Sequence, residues 1–114
     1  MIEAIIIAHL GQVLDVPVYA ERPAENVPEL WVLVEKTGSS RENRIDSATV
    51  AVQSYAPTLL GAAQLNEEVK SAMDSLIEVK TVSRSALNSD YNFTDTATKT
   101  YRYQAVYDIT YHKE

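Results

Sequence analysis

Apolar positions along the chain change their spacing from segment to segment, and the spacing predicts the elements. In residues 2–14, Ile2, Ile5, Ile6, Leu10, Val13 and Leu14 recur at three and four, the period of a helix face. Asp15 and Pro17 end that helix, because the residue before a proline is pushed out of the α region. Val18 to Ala20 reads as a short strand, followed by a polar loop, 21–29, with two prolines. Leu30 to Lys36 is a nearly continuous apolar run, suited to a strand covered on both faces. Thr37 to Asn43, with Gly38 and two serines, has the composition of a hairpin loop. Arg44 to Tyr55 reads as the returning strand, with Ala48, Val50 and Val52 on one face.

Pro57 opens the best amphipathic segment, a helix over about 58–77. Leu59, Ala62, Ala63, Leu65, Val69, Ala72, Met73, Leu76 and Ile77 form its stripe. Residues 79–88 read as a further strand, and 88–96 as a polar turn region. The last strand spans 97–112. Tyr101, Tyr103, Ala105, Tyr107, Ile109 and Tyr111 alternate onto one face; Arg102, Gln104, Val106, Asp108, Thr110 and His112 alternate onto the other. Blocks of this kind predict an α+β domain. It has a mainly antiparallel sheet of four to five strands and two helices packed on one face. With 114 residues there is chain for a single core, so residues 1–114 form one domain.

Composition narrows the function. A net charge of −6 disfavours nucleic-acid binding, which needs a basic footprint, and disfavours anionic membranes. The absence of cysteine removes disulfides, thiolate metal sites and a cysteine nucleophile. The apolar start, Met1 to Leu10, carries Glu3 and lacks a basic lead, so it does not read as a signal peptide. No stretch approaches the ~20 apolar residues that a membrane-crossing helix needs.

Candidate chemistry is sparse. His9 and His112 stand in no ligand or nucleophile spacing, and read as surface or helix-flanking groups. Gly11, Gly38 and Gly61 are isolated, so no glycine-rich phosphate loop forms. Asp90, Asn92 and Asp95 loosely resemble a calcium loop, but lack the central glycine and terminal glutamate, and turn chemistry explains them better. Asn92-Phe93-Thr94 matches a glycosylation sequon by chance. Glu67 and Glu68 point about 100° apart on their helix and form a solvated face. Five of the seven tyrosines lie from Tyr91 onward. Without a basic groove they read as packing and interface residues rather than a base-stacking platform. No catalytic residue, metal or cofactor is expected.

Longer stretches carry a resemblance. They are Val16-Pro-Val-Tyr-Ala-Glu-Arg-Pro23, Trp31-Val-Leu-Val-Glu-Lys-Thr-Gly38, Val50-Ala-Val-Gln-Ser-Tyr-Ala56, Leu87-Asn-Ser-Asp-Tyr-Asn-Phe-Thr-Asp95 and Tyr101-Arg-Tyr-Gln-Ala-Val-Tyr107. Together they cover most of the chain, which resembles the tail terminator (minor tail, tail-completion) proteins of long-tailed phages and prophages. The resemblance implies a non-enzymatic structural protein of the virion tail, assembled in the host bacterial cytoplasm. Its subunits form a ring, typically of six, that caps the tail tube, ends its polymerisation and offers a docking face to the head connector. The partners implied are further copies of the chain, the tail-tube protein and the head–tail connector protein. Neighbouring neck or head–tail joining proteins fit the same pattern.

Within this reading the polar loops supply the expected contacts. They are Glu21, Glu25 and Glu29 on the first, and Arg41, Glu42 and Arg44 at the second, with Arg41 and Arg44 expected to meet acidic groups of a neighbour or solvent. Tyr111 at the end of the last strand joins the set. An acidic ring would also suit a bore through which DNA slides. The competing expectation is a small ligand-binding α+β domain, with a pocket between helices and sheet lined by Trp31 and the tyrosines.

Overall fold

The computed structural model describes residues 1–112. Among these the chain forms α1 (Ile2–Val13), β1 (Val18–Tyr19), β2 (Trp31–Glu42), β3 (Ile45–Ala56), α2 (Leu59–Asp74), a 3-10 turn (Ser75–Glu78), β4 (Val82–Asn92) and β5 (Tyr101–His112). The strands make one sheet in the order β1-β2-β3-β5-β4. All its pairings are antiparallel except the two-residue parallel contact of β1 with β2. The protein is α+β, with its helices packed against the sheet.

The core lies between the helices and one sheet face. Ile2, Ile6 and Leu10 from α1 and Leu65, Val69, Ala72 and Met73 from α2 meet Val32, Val34, Val50, Val52, Ala105, Tyr107 and Ile109. Those strand residues are the alternate positions that face one way on a pleated strand. Each fully buried aliphatic or aromatic side chain here contributes about 1.5–3 kcal/mol through removal of apolar surface from water. The apolar stripes are narrower than their spacing predicts: Val13, Leu59 and Ile77 are exposed. α1 ends at Val13, and the α-helical part of the 58–77 segment ends at Asp74, where the 3-10 turn tightens the chain.

Thr58 caps α2, its hydroxyl accepting the Gly61 N–H at 3.0 Å. The approach is close enough that a Cβ on residue 61 would stand 3.0 Å from that hydroxyl and 3.2 Å from Ala56 Cβ. No helix is long and apolar enough to cross a membrane.

The hairpin corrects the sequence reading most. Residues 37–42, expected as loop, belong to β2 and pair with β3 up to Glu42↔Ile45. The turn is only Asn43 and Arg44, both in the left-handed region (φ 52° and 65°). Two successive positive φ values give the turn whose twist matches that of the flanking strands. Asn tolerates that region better than other residues with a Cβ, which places the turn there. Gly38 and its serines are absorbed by a register shift between Lys36 and Gly38, so Thr37 bulges while the ladder continues.

β4 also lies further along than expected, at 82–92 instead of 79–88. As an edge strand it exposes Asn88, Ser89 and Asn92 to water, so their polarity does not stop the ladder. β5 starts at Tyr101; residues 96–99 form a turn closed by the antiparallel bridge of Asp95 with Thr100.

Candidate functional site

β2 and β3 are each 12 residues long. At ~3.3 Å per residue the hairpin spans roughly 36 Å, much of the 44 Å length of the molecule. The loop glutamates and the arginine group therefore sit at opposite ends of one hairpin.

At the end near Trp31, Glu21, Glu25 and Glu29 are exposed on the loop between β1 and β2. Behind them, on the face without helices, an aromatic and amide ribbon crosses the sheet. Trp31 stacks on Tyr55 at 3.9 Å with planes 6° apart, and Tyr19 meets Trp31 edge-on. The Arg22 guanidinium lies 5.5 Å from the Trp31 ring, and that of Arg102 lies 4.6 Å from the Phe93 ring. Tyr55 Oη donates to Gln53 Oε1 (2.7 Å). Gln53 Nε2 donates to Gln104 Oε1 (2.9 Å), and Gln104 Nε2 to Tyr91 Oη (2.6 Å).

Trp31, Tyr55, Gln53 and Gln104 are all buried on this face, although no helix covers it. Trp31 therefore does not line a pocket between helices and sheet, because its position alternates with Val32 and Val34 and points the other way. The sequence reading missed the ribbon. Its only signal was glutamine and aromatic residues at alternate positions of two strands, whose register relative to each other the sequence leaves open.

At the turn end, Arg41 and Asp46 form a bidentate pair across the hairpin, Nη2 to Oδ2 at 3.0 Å and Nε to Oδ1. Arg41 is thus engaged within the subunit, and the pairing holds its guanidinium still more firmly protonated. Glu42 and Arg44 are exposed. Tyr111 lies beside the pair; burial first, then the negative charges of Asp46 and Glu3, push its phenol up. Arg41, Asp46, Tyr111, Thr81, Met1, Ile5, Val79 and His112 surround a cavity of about 530 Å³ at the end of the core.

The remaining candidates serve the fold. His9 Nε2 lies 2.8 Å from Ser75 Oγ and 3.1 Å from Ala72 O, joining α1 to the end of α2. Asp90 accepts hydrogen bonds from Lys70 (3.0 Å) and Asn66 (2.8 Å), which tie β4 to α2. The Lys70 ammonium, then Asn66, hold its carboxyl below the usual range against the cost of burial. Asn92 accepts from the Thr94 N–H, and Asp95 from those of Ala97 and Thr98, the turn chemistry expected of them. Among the described residues no group of three or more His, Cys, Asp or Glu side chains is placed to hold a metal ion.

The chain matches no protein-family model and none of the curated proteins compared with it.

Proposed function

We propose that this chain is a structural subunit of a phage tail: a ring-forming terminator that caps the tail tube, ends its growth and docks the head connector. One observation supports the reading beyond the sequence resemblance. The subunit has a core at its middle and chemically distinct polar ends, separated by the length of one hairpin. An element of this kind can touch a tube at one end and a connector at the other. Glu21, Glu25 and Glu29 are then contact residues of one end, and Glu42, Arg44 and the Arg41–Tyr111 group those of the other.

The test is polymerisation of a long-tailed phage's tail-tube protein, with and without the purified subunit. A terminator stops growth and yields short, capped tubes in negative stain. Tubes that grow at the same rate to the same lengths overturn the reading. A subunit that binds the head connector but leaves tube growth unchanged is a head–tail joining protein instead.

The second reading, a small ligand-binding domain, is favoured by the 530 Å³ cavity, whose size suits a small molecule. It ranks lower because the guanidinium that lines the cavity, that of Arg41, is already paired with Asp46. Ligand-dependent thermal stabilisation that Tyr111→Ala abolishes is the result that would raise it.

A further inference from the structure

The sheet has two open borders among the described residues, and they are complementary. β1 covers β2 only at Val32 and Leu33. From Val34 to Glu42, β2 has a partner on one side alone. On the opposite border β4 is likewise unpaired along its outer side. Bare N–H and C=O groups on an edge strand are a template for another strand. Neither border contains a proline. The defences present are a bulge at Thr37 and the charge of Lys36 on β2, and bulges at Ser83 and Asn88 and the charge of Arg84 on β4. They leave the run around Gly38 and Ala86 open.

Strand directions decide which partner fits. β3 runs opposite to β2, β5 opposite to β3, and β4 opposite to β5. β4 therefore runs opposite to β2. When β4 of one copy is set beside β2 of the next, helices on the same side, the antiparallel alternation continues through the contact.

The side chains that then meet are compatible. Tracing register across the sheet places Ala86 level with Gly38, through Asp108 and Thr49. It places Ser85 level with Ser39, through Ile109 and Ala48, and Arg84 level with Ser40, through Thr110 and Ser47. At Gly38 and Ser39 small residues face small residues, while further along Leu87 is level with Lys36, Ser89 with Glu35 and Asp90 with Val34. Arg84 gains room beside Ser40 and lies diagonal to the acidic Glu42, within reach for long side chains. The ladder is also bounded: Tyr91 is level with Leu33, where β1 already occupies the border of the next copy. β1 thus acts as a stop that limits the shared ladder to residues before Tyr91.

We infer that copies of this chain assemble head to tail by adding the β4 edge of one subunit to the free β2 edge of the next, in the register that sets Ala86 opposite Gly38. The contact is heterologous, so it propagates to a ring when the rotation closes. It deepens the proposed function, resting on that reading only for ring closure and tube capping; the edge pairing itself needs neither.

The natural absence of cysteine makes the test clean. Directly opposed residues on antiparallel strands have Cβ atoms about 4.5–5.5 Å apart, a span a disulfide nearly matches. A side chain at Gly38 meets nothing within 4 Å in the subunit. Full-length Gly38→Cys and Ala86→Cys proteins are oxidised separately, mixed, and combined as a double variant. The expected result is no cross-link in either single variant, a covalent dimer in the mixture, and a series of higher covalent oligomers in the double variant. Single variants that link to themselves would mean two-fold pairing of like edges, and overturn the proposal. So would a double variant that stays uncross-linked at concentrations where light scattering finds oligomers, or a native protein that stays monomeric at every concentration. In either of the last two cases the tube-growth assay reads separately whether the terminator function survives without this contact.

Discussion

The β2–β3 hairpin has one ladder but two unlike halves. Near Trp31 both faces are sealed: Val32 and Val34 press into the helix-covered core, while Trp31, Tyr55 and Gln53 close the other side. Beyond Lys36 nearly every β2 residue is exposed, and the strand persists on hydrogen bonds to β3 and a two-residue turn. Backbone pairing, with the Arg41–Asp46 pair and the Thr37 hydroxyl bond to Thr49 O, thus carries β2 past its last core residue. Only the β2 strand of the outer half is bare; its partner β3 still buries Asp46 and Ala48.

Core truncation should give the largest effect. Tyr107 is fully buried and its hydroxyl reaches Lys70 O at 3.3 Å. Tyr107→Ala should cost about 3–5 kcal/mol, the range for large aromatic truncations, whereas Ser40→Ala in the bare half should stay within about 0.5 kcal/mol. Urea unfolding of both variants measures the contrast directly.

Trp31→Ala comes next, at about 3 kcal/mol, from lost burial and the stack on Tyr55. A loss below about 1 kcal/mol would mean that the buried ribbon on the helix-free face adds little to stability and that the two halves differ mainly in exposure. Gln104→Leu should cost about 1–3 kcal/mol, because it leaves the buried Gln53 amide N–H without its acceptor. A Gln104→Leu protein that unfolds at the same urea concentration as the native one would show that the amide chain adds nothing to stability.

A smaller effect is expected where β4 is tied to α2. The Asp90 carboxyl is held below its unfolded value by Lys70 and Asn66. Its contribution is therefore complete above the unfolded pKa of about 3.9, and is lost as pH falls through the lower folded value. Asp90→Asn should destabilise by up to about 1 kcal/mol at pH 7, since the pair is part-exposed. The gap between native and variant should close in strong acid, as read by unfolding curves across pH.

The smallest change should be a gain. Arg44 occupies the left-handed region, which glycine adopts freely. Arg44→Gly removes the strain of a side chain in that region but adds unfolded-chain entropy, so the net gain should be only about a few tenths of a kcal/mol, read as a small rise in melting temperature.

Much of the fold was legible in the sequence. The helical stripe of α2 and the alternation of β5 are strong local signals, because a period of 3.6 or 2 is imposed by the backbone on any buried face. The contact candidates were legible only as polar segments. Composition placed Arg41 in a loop, but cross-strand pairing with Asp46 makes it part of the strand. The aromatic ribbon was not legible at all. Trp31, Tyr55, Arg102 and Tyr91 stand far apart in the chain, and only the strand order brings them into one line.

The sequence by itself determined the class of the domain, the two helices, the inward face of the last strand and the lack of an obvious catalytic motif. These follow from local periodicity and residue chemistry. Tertiary structure alone decided the parallel contact of β1, the length of the hairpin arm, the partner of Arg41 and the two open borders. Those depend on which strands become neighbours and in what register. That choice is made by packing against the shared core, and no single segment carries it.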